Sequence, residues 1–468
     1  MLPDTPNLEL LGVAAQRAIA YLQGIGERRV APSESALQDL EQFITALPDS
    51  PSDACTVLDL LDRIGSPATV ATAGGRYFGF VTGAALPASV AATWIGSAWD
   101  QNAALRVMSP VAAALEDVAL GWVRDVLGLP AEGTPGGAIV SGATMANFTC
   151  IAAARHALLE RCGWDVDNDG LFGAPPLTVV VSDEVHASLI KALGLLGLGR
   201  KRVIHVPADG QGRMRADRLP PIDERTIICI QAGSVNTGAF DPAGEICSRA
   251  RASGAWVHVD GAFGLWAAAS PRYRHLTAAF DQADSWATDA HKWPNVGYDC
   301  GLALVRDARP LRSTMSVTAP YLAHGELREP AHYTPEMSRR ARGIELWAAL
   351  RSLGRSGLAA LIERTCGHAR RFAEGLREAG YEILNDVAIN QVLVSFGPSA
   401  ATREVIGRIQ QDGTCWCGAT EWQGRTAMRI SVSSWATTDE DVDQSLAAIR
   451  SAASQCRGVS TTSRRTAS

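Results

Sequence analysis

The stretch TDAHKWPNVGYDCG, residues 288–301, sets Lys292 between His291 and Trp293. Upstream, AWVHVDGAFG (255–264) puts Asp260 at the end of an apolar run. A lysine that loses its proton in a crowded, partly apolar site becomes a nucleophile toward a carbonyl carbon. A carboxylate at the end of a buried strand is costly without a partner. Lys292 is therefore either an ordinary loop lysine or a covalent anchor. Asp260 is either a cap for the segment that follows or the acceptor for a protonated heterocycle nitrogen. Ala262, two residues on, leaves room for a flat ring beside it. His186 heads the helical segment after VVVSDEV. A histidine there caps the helix, fills a satisfied core position or stacks on a flat cofactor. SGATMAN (141–147) reads as a strand–loop–helix junction rich in small residues. Backbone N–H groups at such a helix start form an anion site, to which Thr144 can add a hydroxyl. Ser234 and Asn236, in GSVNTGAFDP, offer polar groups after another strand.

These residues act together only if the chain gathers them. From about residue 137, short apolar runs alternate with helical segments: GAIVSG (137–142), LTVVVS (177–182), RVIHV (202–206), TIICIQAG (226–233), AWVHVDG (255–261), SWATD (285–289) and GLALV (301–305). Val- and Ile-rich runs without polar alternation suit strands buried on both faces, and the rhythm predicts an α/β domain with a mainly parallel central sheet. Ligands of such sheets gather at the carboxyl ends of the strands. Lys292, Asp260, His186 and the 141–147 loop all fall there. A nucleophilic lysine, a carboxylate, a histidine and an anion cradle on one edge fit pyridoxal 5′-phosphate. Its aldehyde takes a Schiff-base lysine, its ring nitrogen an acid that keeps it protonated, and its phosphate a helix N-terminus.

Residues 1–80 read as an N-terminal helical segment with Pro/Ser breaks near 31–35 and 48–53, and 81–340 as the large α/β domain. Within the latter, SPVAAALEDVALGWVRDVLGL (109–129) predicts a helix capped by Ser109, with Pro110 in its first turn. Residues 341–455 predict a smaller α+β C-terminal domain, and the polar tail 456–468 predicts disorder.

Composition narrows the function. A chain of 468 residues exceeds one compact core, and 47% hydrophobic with 20% charged residues is globular. A net charge of −6 without a long basic run excludes a nucleic-acid binder. No stretch approaches the roughly 20 apolar residues that span a bilayer. The start, MLPDTPNLEL, lacks a basic region followed by an apolar one, so a cytoplasmic protein without a membrane partner is expected. Its ten cysteines then read as free thiols. Two metal patterns fail. Cys415 and Cys417 in CWC form half a zinc site with no second half. Asp165, Asp167, Asp169 and Gly170 begin like a calcium loop, but its twelfth position, which needs Glu, is Pro176. No metal is expected.

With these residues in place, the chain resembles the group II pyridoxal-phosphate-dependent amino acid decarboxylases, of the aromatic-L-amino-acid, histidine and glutamate decarboxylase kind. The resemblance runs from about 70 to 450 and rests on HVDGAFG, DAHKW, SGATMANFT, DEVHASLIKA and SRRARGIELW. It implies fold type I, the aspartate aminotransferase-like fold. Lys292 resembles the cofactor-bearing lysine, Asp260 the pyridinium partner, Ala262 the residue under the ring and His186 the histidine stacked over it. Ala143, Thr144 and His291 resemble phosphate ligands. Ser234 and Asn236 fall in the segment that reaches the phenolic oxygen. YFGFVTG (77–83) resembles the pocket-lining segment, which implies Phe80, Val81 and Thr82 near the substrate. TAPYLAHGE (318–326) resembles the mobile catalytic loop, several residues shorter than in the aromatic members, and Tyr321 falls where the family carries its proton-donating tyrosine. A homodimer with shared sites is implied, with Ser338 and Arg339 near the partner's phosphate site. The chain departs from the family at Asp289-Ala290, where Asn-Pro is common before the His-Lys pair.

The expectation is decarboxylation of an L-amino acid to the amine and carbon dioxide. Two alternatives stay open. One is a different outcome on the same cofactor: aldehyde synthesis, decarboxylative carbon–carbon bond formation or transamination. The other is a non-catalytic scaffold.

Overall fold

The computed structural model describes residues 8–316 and 327–462. Its centre is a seven-stranded sheet: β1 (Gly136–Val140), β2 (Thr178–Ser182), β3 (Ile204–Val206), β4 (Thr226–Gln231), β5 (Trp256–Asp260), β6 (Ser285–Asp289) and β7 (Gly301–Val305). The spatial order is β1-β7-β6-β5-β4-β2-β3, and β7 alone runs antiparallel to its neighbours. Each of the seven apolar runs read from the sequence as a strand overlaps one.

Both faces of the sheet are covered, which explains the absence of polar alternation. Val179, Val181, Ile227, Cys229, Ala303 and Val305 pack with the helix Ala143–Arg161. Their neighbours Val180, Ile228, Ile230, Leu302 and Leu304 pack on the other side with Ala119, Leu120 and Val123 of the helix Pro110–Leu127. Successive strand residues thus feed two different cores. Ser109 caps the 110–127 helix, its hydroxyl accepting from the Ala112 N–H.

A second sheet is wholly antiparallel: β8 (Glu382–Ile383), β9 (Gln391–Ser395), β10 (Gly418–Trp422) and β11 (Arg425–Ser431), in the order β10-β11-β9-β8. The helices Ser399–Asp412 and Asp439–Thr462 and the end of the long helix Gly343–Glu378 share its core, where Cys415 and Cys417 are buried. The last helix reaches Thr462, past the start of the polar tail. Helical pieces that precede the sheet domain include Glu9–Gln23, with no buried residue, then Glu34–Asp39 and Ala54–Leu60, capped by Ser33 and Asp53. No helix among the described residues is long and apolar enough to cross a membrane.

One close approach fixes the working edge of the sheet. Gly301 pairs with Val140 on one side and Asp289 on the other. A Cβ at Gly301 would lie 2.4 Å from the Gly142 Cα, so only glycine lets the start of the 143–161 helix sit this near Asp289. Gly301→Ala is expected to cost on the order of 1–3 kcal/mol of stability, read as a lower thermal midpoint. An unchanged midpoint would mean the junction has slack.

Candidate active site

Lys292 follows β6 in a tight turn. Asn295 holds this turn, its amide donating to the carbonyls of Lys292 (2.6 Å), Trp293 (2.8 Å) and Ser433 (2.9 Å). Its Oδ1 accepts from the Trp435 N–H (2.6 Å). Trp293 is fully buried and donates Nε1–H to Thr365 Oγ1 (2.8 Å). Lys292 Nζ lies 2.9 Å from Asp289 Oδ2, with the two side chains 17% and 3% exposed. The chain has three lysines, and the other two, Lys191 and Lys201, are exposed. The surface reading of Lys292 therefore falls.

Asp260 ends β5 and is 5% exposed. Its Oδ1 accepts from the Ala262 N–H (3.3 Å) and its Oδ2 from Asn147 Nδ2 (3.1 Å). Asn147 Oδ1 pairs with His258 Nε2 (2.9 Å), and His258 Nδ1 with Ser285 Oγ (2.9 Å). Trp256 Nε1 donates to that same hydroxyl (2.9 Å). One direction satisfies every member. Because the Asn147 amide donates to Asp260, its carbonyl accepts from His258 Nε2–H. Nδ1 then accepts from Ser285, and Ser285 from Trp256. Burial pushes the His258 pKa down to about 3, so the ring is neutral, as this pattern needs. Trp256, His258 and Asp260 share one face of β5 because side chains alternate along a strand.

His186 caps the helix Ala187–Leu195, Nδ1 accepting from the Ser188 N–H (3.2 Å), which leaves the proton on Nε2. Loss of hydration lowers its pKa, while Asp260 opposes and Lys292 reinforces that shift, so these three groups share one site. His186 thus caps its helix and lies near Asp260 and Lys292.

The 143–161 helix starts at Gly142 without a side-chain cap, leaving its first N–H groups for a ligand. Ala143 is buried, and Thr144 is half-buried in the same turn. A Cβ on Gly142 would sit 3.3 Å from His291 Cε1 and 3.6 Å from Asp289 Oδ1, so His291 and Asp289 wall this small hollow. His291 Nδ1 accepts from the Cys300 N–H (3.2 Å), and burial lowers its pKa. Its Nε2 lies 3.6 Å from Asp289 Oδ2. An uncapped helix start, a carboxylate acceptor and a buried lysine on one edge suit a phosphorylated pyridine aldehyde. Half-buried Ala262 adds no bulk beside Asp260.

The 77–83 segment crosses Lys292. A Cβ on Gly83 would lie 2.1 Å from the Lys292 carbonyl oxygen. Phe80 and Val81 both take left-handed backbone (φ 55 and 58), a strained choice for Val. Phe80 is 67% exposed and stacks on Trp416, whereas Val81 and Thr82 are buried.

Ser234 Oγ accepts from the Asn236 N–H at 3.4 Å. Asn236 Oδ1 accepts from Thr420 Oγ1 (2.9 Å) and Arg429 Nη1 (3.3 Å), tying the large domain to β10 and β11. Arg429 also acts electrostatically on His186. Burial lowers its pKa, and no carboxylate pairs with it among the described residues. Ser338 is exposed in a different cleft of about 610 Å³, with Asn102 and Arg340. Arg339 departs from expectation. It is buried against Glu116 Oε2 (2.6 Å) and the Ile139 carbonyl (2.9 Å), and a buried Glu116 needs that charge. Tyr321 lies outside the described residues.

Sequence reasoning missed Asn147, His258 and Arg429. The W-x-H-x-D alternation of β5 carried a signal for His258. Asn147 lay within the quoted SGATMAN, one turn into its helix. Nothing local marked Arg429, which a separate lobe delivers.

The family model described as "Pyridoxal-dependent decarboxylase conserved domain" matches residues 41–397. The aromatic-L-amino-acid decarboxylase of Drosophila lebanonensis is 30% identical over 373 residues, covering 75% of this chain and 91% of that one. Tryptophan decarboxylase 1 of Oryza sativa subsp. japonica is 28% identical over 401 residues, 77% of each chain. The crystal structure of Oryza sativa TDC with PLP and tryptamine superposes with a TM-score of 0.89 at 23% identity, over 97% of this chain and 99% of that one. The fold is thus the expected fold type I.

The Asp260 relay gives a stability prediction. Asn147→Leu leaves Asp260 Oδ2 and His258 Nε2 without partners in a dry site, at a cost of about 1–3 kcal/mol for each. A fall in the thermal midpoint is expected. A midpoint within error of wild type would show that the relay is not closed.

Proposed function

This chain belongs to the pyridoxal-dependent decarboxylase family, and on that premise we propose that it converts an L-amino acid to its amine and carbon dioxide with Lys292 as the cofactor's anchor. The family fixes the class: a pyridoxal-phosphate-dependent amino acid decarboxylase. The observation that carries the assignment of residues is the buried Lys292 on the same sheet edge as Asp260, beside an uncapped helix start.

Pyridoxal phosphate supplies, when bound, a pyridinium ring that takes the electron pair left as the carbon–carboxylate bond breaks. Asp260, which accepts two hydrogen bonds, would hold the proton on the ring nitrogen. The first N–H groups of the 143–161 helix, with Thr144 and the Nε2–H of His291, would hold the phosphate. His186 offers its ring face, fixed by the bond to Ser188. Ser234 would serve the ring's phenolic side, and Asn236 holds Arg429. Arg429, free of a carboxylate partner among the described residues, is available to orient the substrate carboxylate. Phe80 offers an open apolar face on Trp416, which favours an apolar or aromatic substrate side chain. Val81 and Thr82 set that face against Lys292. Tyr321 delivers the proton to the substrate Cα.

A homodimer fits the surface. Trp94, Ile95 and Trp99 on the helix Pro87–Trp99, and Val111 and Val118 on the 110–127 helix, are exposed apolar residues that a second copy would cover. Ser338 is exposed and would lie near such a partner's site.

The purified holoprotein is expected to release carbon dioxide and amine from at least one member of a panel of L-amino acids. Lys292→Ala is expected to abolish both; turnover that survives would remove Lys292 from the chemistry. Tyr321→Phe is expected to lower amine formation at least tenfold while cofactor binding stays within twofold. Equal amine yield would exclude the tyrosine as proton donor. Aldehyde with oxygen uptake and no amine from the wild type would replace decarboxylation by aldehyde synthesis.

A further inference from the structure

Asp289 is unexplained by the roles above. Its Oδ2 holds Lys292 Nζ at 2.9 Å, whereas its buried Oδ1 has no hydrogen-bond partner. That free oxygen faces Gly142, the first residue of the uncapped helix start. An ionised carboxylate there repels a phosphate, and a protonated one donates to it. Lys292 poses the converse problem. As the ammonium of an ion pair it has no lone pair with which to attack an aldehyde.

One proton solves both. We infer that Asp289 is the internal base that takes the Lys292 proton as the cofactor enters, and that the neutral acid so formed then binds the cofactor phosphate. The inference rests on the reading of Lys292 as anchor and of the 142–144 turn as phosphate cradle. In the step, an Nζ–H bond breaks and an O–H bond forms on Asp289, turning ammonium and carboxylate into amine and carboxylic acid. The freed lone pair bonds to the aldehyde carbon. The aldehyde oxygen leaves as water with the two hydrogens remaining on Nζ. A half-turn about the Cβ–Cγ bond of Asp289 then swings its hydroxyl toward Gly142.

The surroundings favour this transfer. Among the described residues, the titratable groups facing Asp289 are Lys292, His291, His186 and Cys300. Burial keeps both histidines toward the neutral form and raises the Cys300 thiol well above its usual range. Lys292 Nζ, at 2.9 Å, is nearer the carboxylate than His291 Nε2 at 3.6 Å. An asparagine at 289 would supply the phosphate donor without the base, so the two functions can be separated.

The test follows cofactor capture, independent of turnover. Cofactor-free protein is mixed with pyridoxal phosphate, or with pyridoxal, which lacks the phosphate. The bond to Lys292 is trapped with borohydride at intervals and quantified by mass. Wild type is expected to capture both aldehydes at a rate that changes less than threefold from pH 7 to 9, since the proton is passed internally. Asp289→Asn is expected to capture both at least tenfold more slowly at pH 7. It should recover as the pH approaches the ordinary lysine pKa of about 10.4. Capture by Asp289→Asn at pH 7 as fast as wild type, or faster with pyridoxal phosphate alone, would overturn the inference and leave Asp289 as a mere repulsive charge. If Asp289→Asn does not fold, the wild-type profile decides: a rate rising about tenfold per pH unit from 7 to 9, as for an unassisted lysine, overturns it. Wild type that captures nothing at Lys292 overturns the underlying reading as well.

Discussion

Charge taken out of water must be matched at once, and the carboxyl edge of this sheet holds three such charges. Lys292, Asp289 and Asp260 are all largely buried. Removing water from an ion costs several kcal/mol unless a partner and further hydrogen bonds replace it. Lys292 and Asp289 answer each other. Asp260 is answered by neutral donors, arranged in a chain from Trp256 through Ser285, His258 and Asn147. A neutral chain leaves its carboxylate uncompensated by a full cation, and so available to one on a ligand. The two acids on neighbouring strands thereby receive different work.

This arrangement depends on backbones brought closer than side chains allow. Gly301 lets Gly142 approach, and Gly83 lets the pocket segment lie on the Lys292 carbonyl. Gly264 packs its Cα side against the Ala232 carbonyl, where a Cβ would come within 2.3 Å. The left-handed Phe80 and Val81 bend the chain just before Gly83. Asn295 links the Lys292 turn to Ser433 and Trp435 of the smaller lobe, and Asn236 links the sheet to Thr420 and Arg429. Both lobes therefore define the site, and relative movement between them would alter it.

Local patterns carried much of this. The seven apolar runs were legible because burial on both faces removes polar residues from a strand. Lys292 and Asp260 were legible because charged residues at the ends of such runs need a reason to be there. Asn147 was not, because an asparagine inside a helix is also an ordinary surface residue and its partner lies on a distant strand. Arg429 comes from another lobe, and sequence distance hides it. Arg339 shows the reverse error. Adjacent to Ser338 in sequence, it points into the protein because Glu116 requires a cation. Asp289 stood out only against the family pattern, and its meaning came from the contact with Lys292.

The central claim is that Lys292 carries the cofactor. The chain has only Lys191, Lys201 and Lys292 as alternatives, so the assignment has one clean measurement. The holoprotein is reduced with borohydride, digested and mapped by mass spectrometry. The account predicts the reduced pyridoxal-phosphate adduct on the peptide containing Lys292, in stoichiometric yield. An adduct on Lys191 or Lys201, or none at all, would contradict it.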